Sequence, residues 1–443
     1  MNRFIQTLRN IWGITELREK LLLTAGLLLV YRLGSNVVLP GIDPSSLENL
    51  QSQASEGLVG LINAFSGGAF ANASILALGI MPYISASIVI QLAGLAIPAV
   101  QKMQKEGESG RRKLNQITRY LTILIVAAQA PGYITNLIYQ GVNITLPMST
   151  FWIVSWVVII AGTIFAMWLG ERITEKGVGN GISLLIMIGI IANFPQAFFQ
   201  EVATQLSPTG GGWIKFLLEI VALYLVFLFA IAITQAVRKV PLEYAKRVAG
   251  GSSKSLGRSY LPIRVNASGV MPIIFAQALM FVPLTVVQYA GLEGSGATWM
   301  VDVFGNIQGF WYNFVFAMLI LIFTYFYTAI QINTTQIADD LKRNGGFVPG
   351  IKPGEATGNY IDDVLAKITL PGAILLATIA IMPSIAMTLG INMQWAQFYG
   401  GTSLLIIVGV VLDTLMQIES YLLNSHYDGL MEGGRMSGRN TSM

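Results

Sequence analysis

Ten predominantly apolar stretches of about twenty residues recur along the chain, near 21–39, 76–98, 118–138, 150–170, 181–199, 214–236, 268–289, 309–331, 368–388 and 401–422. A run of that length spans the hydrocarbon of a bilayer as a helix. No water is available there, so each backbone N–H and C=O must be satisfied within the segment, which restricts such runs to helices. The expected fold is all-α, a polytopic membrane protein with ten transmembrane helices. Only 11% of the 443 residues are charged, far below the roughly one quarter of a soluble domain. Cysteine is absent and the single histidine, His426, lies outside every apolar run. That excludes disulfides, thiolate chemistry and most metal sites, so neither a metal nor a cofactor is expected.

An even number of spans puts both termini on one side of the membrane. If that side is the cytoplasm, segments 1–20, 99–117 with Arg119, 171–180, 237–267, 332–367 and 423–443 carry 25 of the 27 Lys and Arg. The exceptions are Arg32, inside the first span, and Lys215, at the outer end of the sixth. So uneven a distribution sets the orientation by the positive-inside rule. It also relates the net charge of +4 to anionic lipids before nucleic acid. Residues 1–20 lack the apolar core of a cleavable signal peptide. Phe4, Ile5, Leu8, Ile11 and Trp12 cluster near one face, with Arg3, Arg9, Arg18 and Lys20 elsewhere, which fits a cytoplasmic helix lying in the interface or an ordinary solvated helix.

Loops 237–267 and 332–367 are much longer than neighbouring helices require. Basic and glycine-containing, they suit docking surfaces for a cytoplasmic partner, or plain linkers. Five spans on either side of residue 200 make two halves, 21–200 and 201–422, which an odd number of spans inverts relative to one another; 423–443 is a cytoplasmic tail.

Residues 57–73, GLVGLINAFSGGAFANA, are too short and too glycine-rich to span. Irregular backbone at membrane depth requires protein or a water-filled cavity around it. The segment is therefore re-entrant on the outer side or an amphipathic loop resting on the surface. The next span, ILALGIMPYISASIVIQL, has Pro82 near its outer end and Ile84 and Ile88 one turn apart. The fifth span repeats that spacing with Ile186 and Ile190, and SGVMPIIFAQALMF opens the seventh with Pro272 beside Ile273 and Ile274. Such isoleucines line a path, or pack against lipid and neighbouring helices. Leu223, midway along the sixth span, is expected to face lipid. An ion-coupled transporter would place ionisable groups near the midplane; the spans offer only Arg32, Glu219 and Asp413, the last two towards helix ends. An enzyme is weaker still, for HExxH, GxSxG and GxxxxGK[ST] are all missing. Energy for transport must come from a partner.

FSGGAFANASILALGIMPYISASIVIQ, KEGESGRRKLNQITRY, GVGNGISLLI, FVPGIKPGEATGNYID and GGTSLLIIVGVVLD together make the chain resemble, over nearly its whole length, the SecY/Sec61-alpha family of protein-conducting channels. The resemblance implies a central hourglass pore between the two halves. It implies a plug near 57–73, including Phe65, Ser66, Gly67, Gly68, Phe70 and Asn72. It implies a constriction of six side chains, Ile84, Ile88, Ile186, Ile190, Ile274 and Ile406, a ring that dewets when empty yet offers no hydrogen bond to hold a passing peptide. A lateral gate is implied where Pro82, Gln91, Pro272 and Gln277 sit, although helix-to-helix hydrogen bonding is the preferred reading of Gln277. Docking sites for a motor or ribosome are implied at Lys246, Arg247, Lys254 and Arg258 in the first long loop and Lys352 in the second. The family often has arginine at the last position, and lysine lacks its planar fork. The implied function is translocation of unfolded secretory polypeptides and sideways release of transmembrane segments into lipid, without enzyme activity. The implied setting is a bacterial inner membrane with cytoplasmic termini. Implied partners are SecE-like and SecG-like membrane subunits, a SecA motor ATPase, the ribosome, signal peptides and nascent chains, a YidC-like insertase and anionic lipids.

Overall fold

A computed structural model describes residues 12–47, 63, 66–207, 211–244, 259–290, 299–300 and 303–433. Its helices are α1 (Thr15–Gly34), α2 (Met81–Ala96), α3 (Pro98–Lys105), α4 (Glu108–Tyr139), α5 (Met148–Lys176), α6 (Gly181–Leu206), α7 (Gly212–Gln235), α8 (Met271–Ala290), α9 (Phe310–Gln331), α10 (Thr334–Arg343), α11 (Glu355–Thr388), the single turn α12 (Met393–Ala396) and α13 (Gly401–Gly433). Each of the ten expected spans coincides with one of these helices. Among the described residues, seven are long and apolar enough on their own to cross a membrane, and eight if α2 and α3, bent by 103°, count as one. Helix α1 falls outside that test for a physical reason: Glu16, Arg18, Glu19 and Lys20 occupy its first two turns and Arg32 its last.

Helix α2 is shorter than its apolar run. Its 16 residues rise about 24 Å, less than the ~30 Å hydrocarbon thickness. Proline explains where the helix starts: Pro82 sits in the first turn, where a missing N–H breaks no helical bond.

By contacts the chain forms two compact units, 1–195 with 410–443, and 196–409. In the first unit, Val126, Ala130, Tyr133, Ile134 and Leu137 of α4 pack with Phe151 and Ile159 of α5 against Leu39, Ile42, Phe70 and Ala73. Trp156 donates to the Ala127 carbonyl at 3.0 Å, and Arg119 grips Glu171 through two bonds of 2.8 and 2.6 Å, joining α4 to α5. The later part of α13 joins this unit through Gln417, which accepts from the Gly179 N–H at 2.8 Å, and through Tyr421, whose hydroxyl accepts from Lys20 at 3.0 Å.

The second unit contains a feature that the all-α expectation lacks. Strand β1 (Val237–Tyr244) pairs antiparallel with β2 (Ser259–Arg264), from Val237 opposite Arg264 to Leu242 opposite Ser259. On its other edge β1 pairs with β3 (Gly346–Phe347), which belongs to the second long loop. Val240, Leu242 and Ile263 alternate inward against Leu341 of α10, Val348, and Ile361 and Leu365 of α11. The described parts of the two loops are thus one folded body with its own apolar core, not plain linkers.

Candidate functional site

Ser66 to Ile80 runs through the first unit as a succession of turns, and all of it except Gly68, Asn72, Ile75 and Leu78 is buried. For Ser66–Ala73, the described part of that segment, this depth does not fit a loop resting on the surface. Its backbone donors and acceptors are met locally and by the helices around it, as burial demands. Ser66 donates to the Asn63 carbonyl and accepts from the Phe70 N–H, both at 3.1 Å. Tyr133 of α4 donates to the Phe70 carbonyl at 2.8 Å, with the two rings edge to face at 4.8 Å. Val38 and Ser74 form a short antiparallel bridge.

Two glycines set how closely the segment lies. Gly67 has φ +68°, and a Cβ there would stand 2.7 Å from the Gly189 Cα of α6. A Cβ at Gly162 of α5 would stand 2.0 Å from the Ile75 carbonyl oxygen. Small residues at helix contacts serve this close approach. Ala73, without glycine's freedom, adopts φ +43°. Arg32 of α1 donates through Nη1 to the Gly67 carbonyl and, at 3.4 Å, to Ser35. Of the residues assigned to the plug, Phe65 lies outside the described residues; Ser66, Gly67 and Phe70 are buried, Gly68 and Asn72 half-buried. Asn72 donates to Asn36 at 3.4 Å.

Four of the six isoleucines fall in the first unit. Ile84 and Ile88 lie one turn apart on α2, Ile186 and Ile190 one turn apart on α6; Ile88, Ile186 and Ile190 are buried and Ile84 half-buried. Gly189, against which the segment rests, is the neighbour of Ile190. In the second unit, Ile274 is half-buried on α8 and Ile406 buried on α13. Two contacts fix the register of these helices. Thr402 donates to Gln277 at 3.0 Å, and a Cβ at Gly409 would touch Val270 at 3.6 Å. Residue numbers run in opposite directions between those points, which brings Ile274 level with Ile406.

Neither proline expected at a lateral gate kinks a helix. Pro272, like Pro82, is in the first turn of its helix, and the prolines interior to helices are Pro131, Pro195, Pro283, Pro371 and Pro383. Gln91 donates to Ser87 at 3.3 Å on its own helix, whereas Gln277 is buried and bonded across to α13. Of the docking residues, Lys246, Arg247, Lys254 and Arg258 lie outside the described residues, between β1 and β2. Lys352 is exposed in the turn before α11, its carbonyl accepting from Thr357 at 2.9 Å.

The sequence reading missed a buried polar cluster in the second unit. Gln205 donates to Glu201 at 2.6 Å and to Glu219 at 3.0 Å, and Glu201 accepts from the Asn392 N–H at 3.1 Å. Tyr399, in the turn before α13, donates to the Glu219 carbonyl at 2.7 Å; burial, and then the nearby Glu219 carboxylate, hold its phenol pKa above the usual value. Glu201 escaped notice because α6 runs on to Leu206, past the end of the apolar run. Leu223 corrects another expectation: it is 8% exposed, packed inside the protein, while Leu225 is 58% exposed.

A SecY family model matches residues 74–415. The chain is 40% identical over 428 residues to the protein translocase subunit SecY of Streptomyces scabiei, covering 94% of this chain and 97% of that one. It is 39% identical over 435 residues to the same subunit of Escherichia coli K12, covering 96% of both. Among solved structures, it shares its fold with a SecY described as having a plug domain that stabilises the closed state of the translocation channel (TM-score 0.57, 18% identity, 90% of this chain and 91% of that one). It likewise resembles Sec61 from a canine ribosome–channel complex (TM-score 0.57, 17% identity, 90% and 91%). A helical membrane fold, a buried non-helical segment ahead of α2 and sequence identity along nearly the whole chain agree in one conclusion: the chain belongs to the SecY family, the channel subunits of protein translocases.

Proposed function

We propose that the chain is a gated conduit for unfolded secretory polypeptides, sealed at rest by the segment around Ser66–Asn72 and narrowed by Ile84, Ile88, Ile186, Ile190, Ile274 and Ile406. The observation that carries this reading is the burial of Ser66–Ile80 directly ahead of α2. A non-helical segment held by side chains and close glycine contacts can leave and return at lower cost than a helix can unwind. The ring suits passage because branched apolar side chains shed water when empty and make no bond that would trap a peptide.

Sideways release of transmembrane segments would take place beside α2 and α8, where each residue of a nascent segment partitions by its own hydrophobicity. The membrane is the bacterial inner membrane, with both termini cytoplasmic. The sheet body and Lys352 face a SecA-like motor or the ribosome, a reading supported by the ribosome-bound state described for the canine Sec61 relative. SecE-like and SecG-like subunits, a YidC-like insertase and anionic lipids complete the setting. The chain itself supplies a path and no chemistry, so work is done by the partner.

The absence of cysteine makes the test direct. Ile88→Cys is assembled with its small subunits and motor, and a secretory precursor bearing one cysteine is stalled partway across. A disulfide is expected at position 88 and not at Leu225→Cys, an exposed site on α7. A precursor that translocates fully yet never cross-links to position 88 would remove the isoleucines from the path.

A further inference from the structure

Across Leu21–Leu39 the only charged residue is Arg32. It forms no ion pair with a carboxylate among the described residues. Its guanidinium instead reaches the main chain of the buried segment, donating through Nη1 to the Gly67 carbonyl, with Ser35 as its second partner. Gly67 is also the residue seated on Gly189 of α6, so the arginine acts at one of the two points where the segment is pressed closely against a helix. A half-buried cation with no carboxylate beside it among the described residues relies on such acceptors, and bonds from an ionised donor are roughly twice as strong as neutral ones.

The geometry points to Arg32 as a positioning residue that latches the sealing segment shut through the Gly67 carbonyl. This rests on the assignment of that segment as the seal. When the segment leaves, the guanidinium loses its main-chain acceptor and keeps only Ser35. The charge therefore favours the seated state, and an incoming substrate must overcome that preference. Both bonds leave from Nη1; lysine keeps the charge but not the reach and fixed plane of the guanidinium that aim this nitrogen, so it holds the segment less well.

The test uses the assembled channel in vesicles. Arg32→Gln and Arg32→Lys are compared with the parent for ion leak in the absence of substrate, with and without a tether. The tether is a disulfide between Asn36→Cys and Asn72→Cys, positions whose side-chain amides lie 3.4 Å apart. Arg32→Gln is expected to raise the resting leak by about tenfold, the shift produced by losing one charge-assisted hydrogen bond, and Arg32→Lys by less. Oxidising the tether should return the leak of both to the parent level. A parental leak in Arg32→Gln, with the oxidised tether still blocking translocation, overturns the latch and leaves the seal standing. A raised leak that the tether does not suppress also overturns it, because the defect then lies in the channel wall. If the oxidised tether leaves translocation and leak untouched, the seal assignment itself falls. Translocation of an ordinary precursor by Arg32→Lys shows that the variant is folded.

Discussion

Gly67 and Tyr133 hold the buried segment by different means, and substitutions separate them. Gly67→Ala places a methyl 2.7 Å from the Gly189 Cα on a backbone at φ +68°, so the segment must lift from α6. The expected result is a higher resting ion leak in reconstituted vesicles with little loss of translocation. Tyr133→Phe keeps the ring against Phe70 but deletes the hydroxyl that donates to its carbonyl at 2.8 Å. Leaving that buried acceptor unpaired costs about 1–3 kcal/mol. A lower unfolding temperature in detergent is the measurement, and an unchanged one would mean that the oxygen finds another donor. The glycine pattern GLVGLINAFSGGAFANA predicted irregular backbone, because glycine without a core face specifies no helix. Which residues it would touch was not legible: Arg32, Gly189 and Tyr133 are brought to Gly67 and Phe70 by tertiary folding across 35 to 122 positions of sequence.

Apolar runs located the helices because membrane insertion is decided segment by segment, and a twenty-residue run states its own fate. Their ends were less legible. Helices α6 and α11 continue beyond the hydrocarbon as polar turns, which hid Glu201 and made the second long loop look less ordered than it is. The sheet left only a faint trace in VRKVPLEY and SYLPIR, where few inward residues alternate, and β3 is two residues long. Its pairing with β1 depends on residues about a hundred positions apart, a distance over which local pattern says nothing. Val240→Asp tests the element. Val240 is 2% exposed in the small core, and a carboxylate there has no partner. The loops should become sensitive to protease and lose cosedimentation with the motor or ribosome, while the resting leak stays at the parent value. Retained binding with a protease-sensitive loop would place docking elsewhere.

At the scale of the molecule, the proposed orientation rests on where Lys and Arg fall, and cysteine-free composition makes it measurable. A membrane-impermeant maleimide should label Lys352→Cys only from the cytoplasmic side and Trp213→Cys, at an exposed position opening α7, only from the outside. The reverse pattern would invert the proposed topology and separate the sheet body from any cytoplasmic partner. The proposal of inverted halves rests on the parity of the spans alone, since no repeated motif marks it. The hydrogen-bonded join between β1 and β3 has a mechanical consequence. Because β1 is zipped to β2 on one edge and to β3 on the other, a push on the strand pair is not absorbed by slack chain between β1 and β3. It travels through the strands to the core beneath α10 and α11, and from there along the 34-residue α11 into the membrane. What reads in sequence as two loose loops would then work as the short arm of a lever.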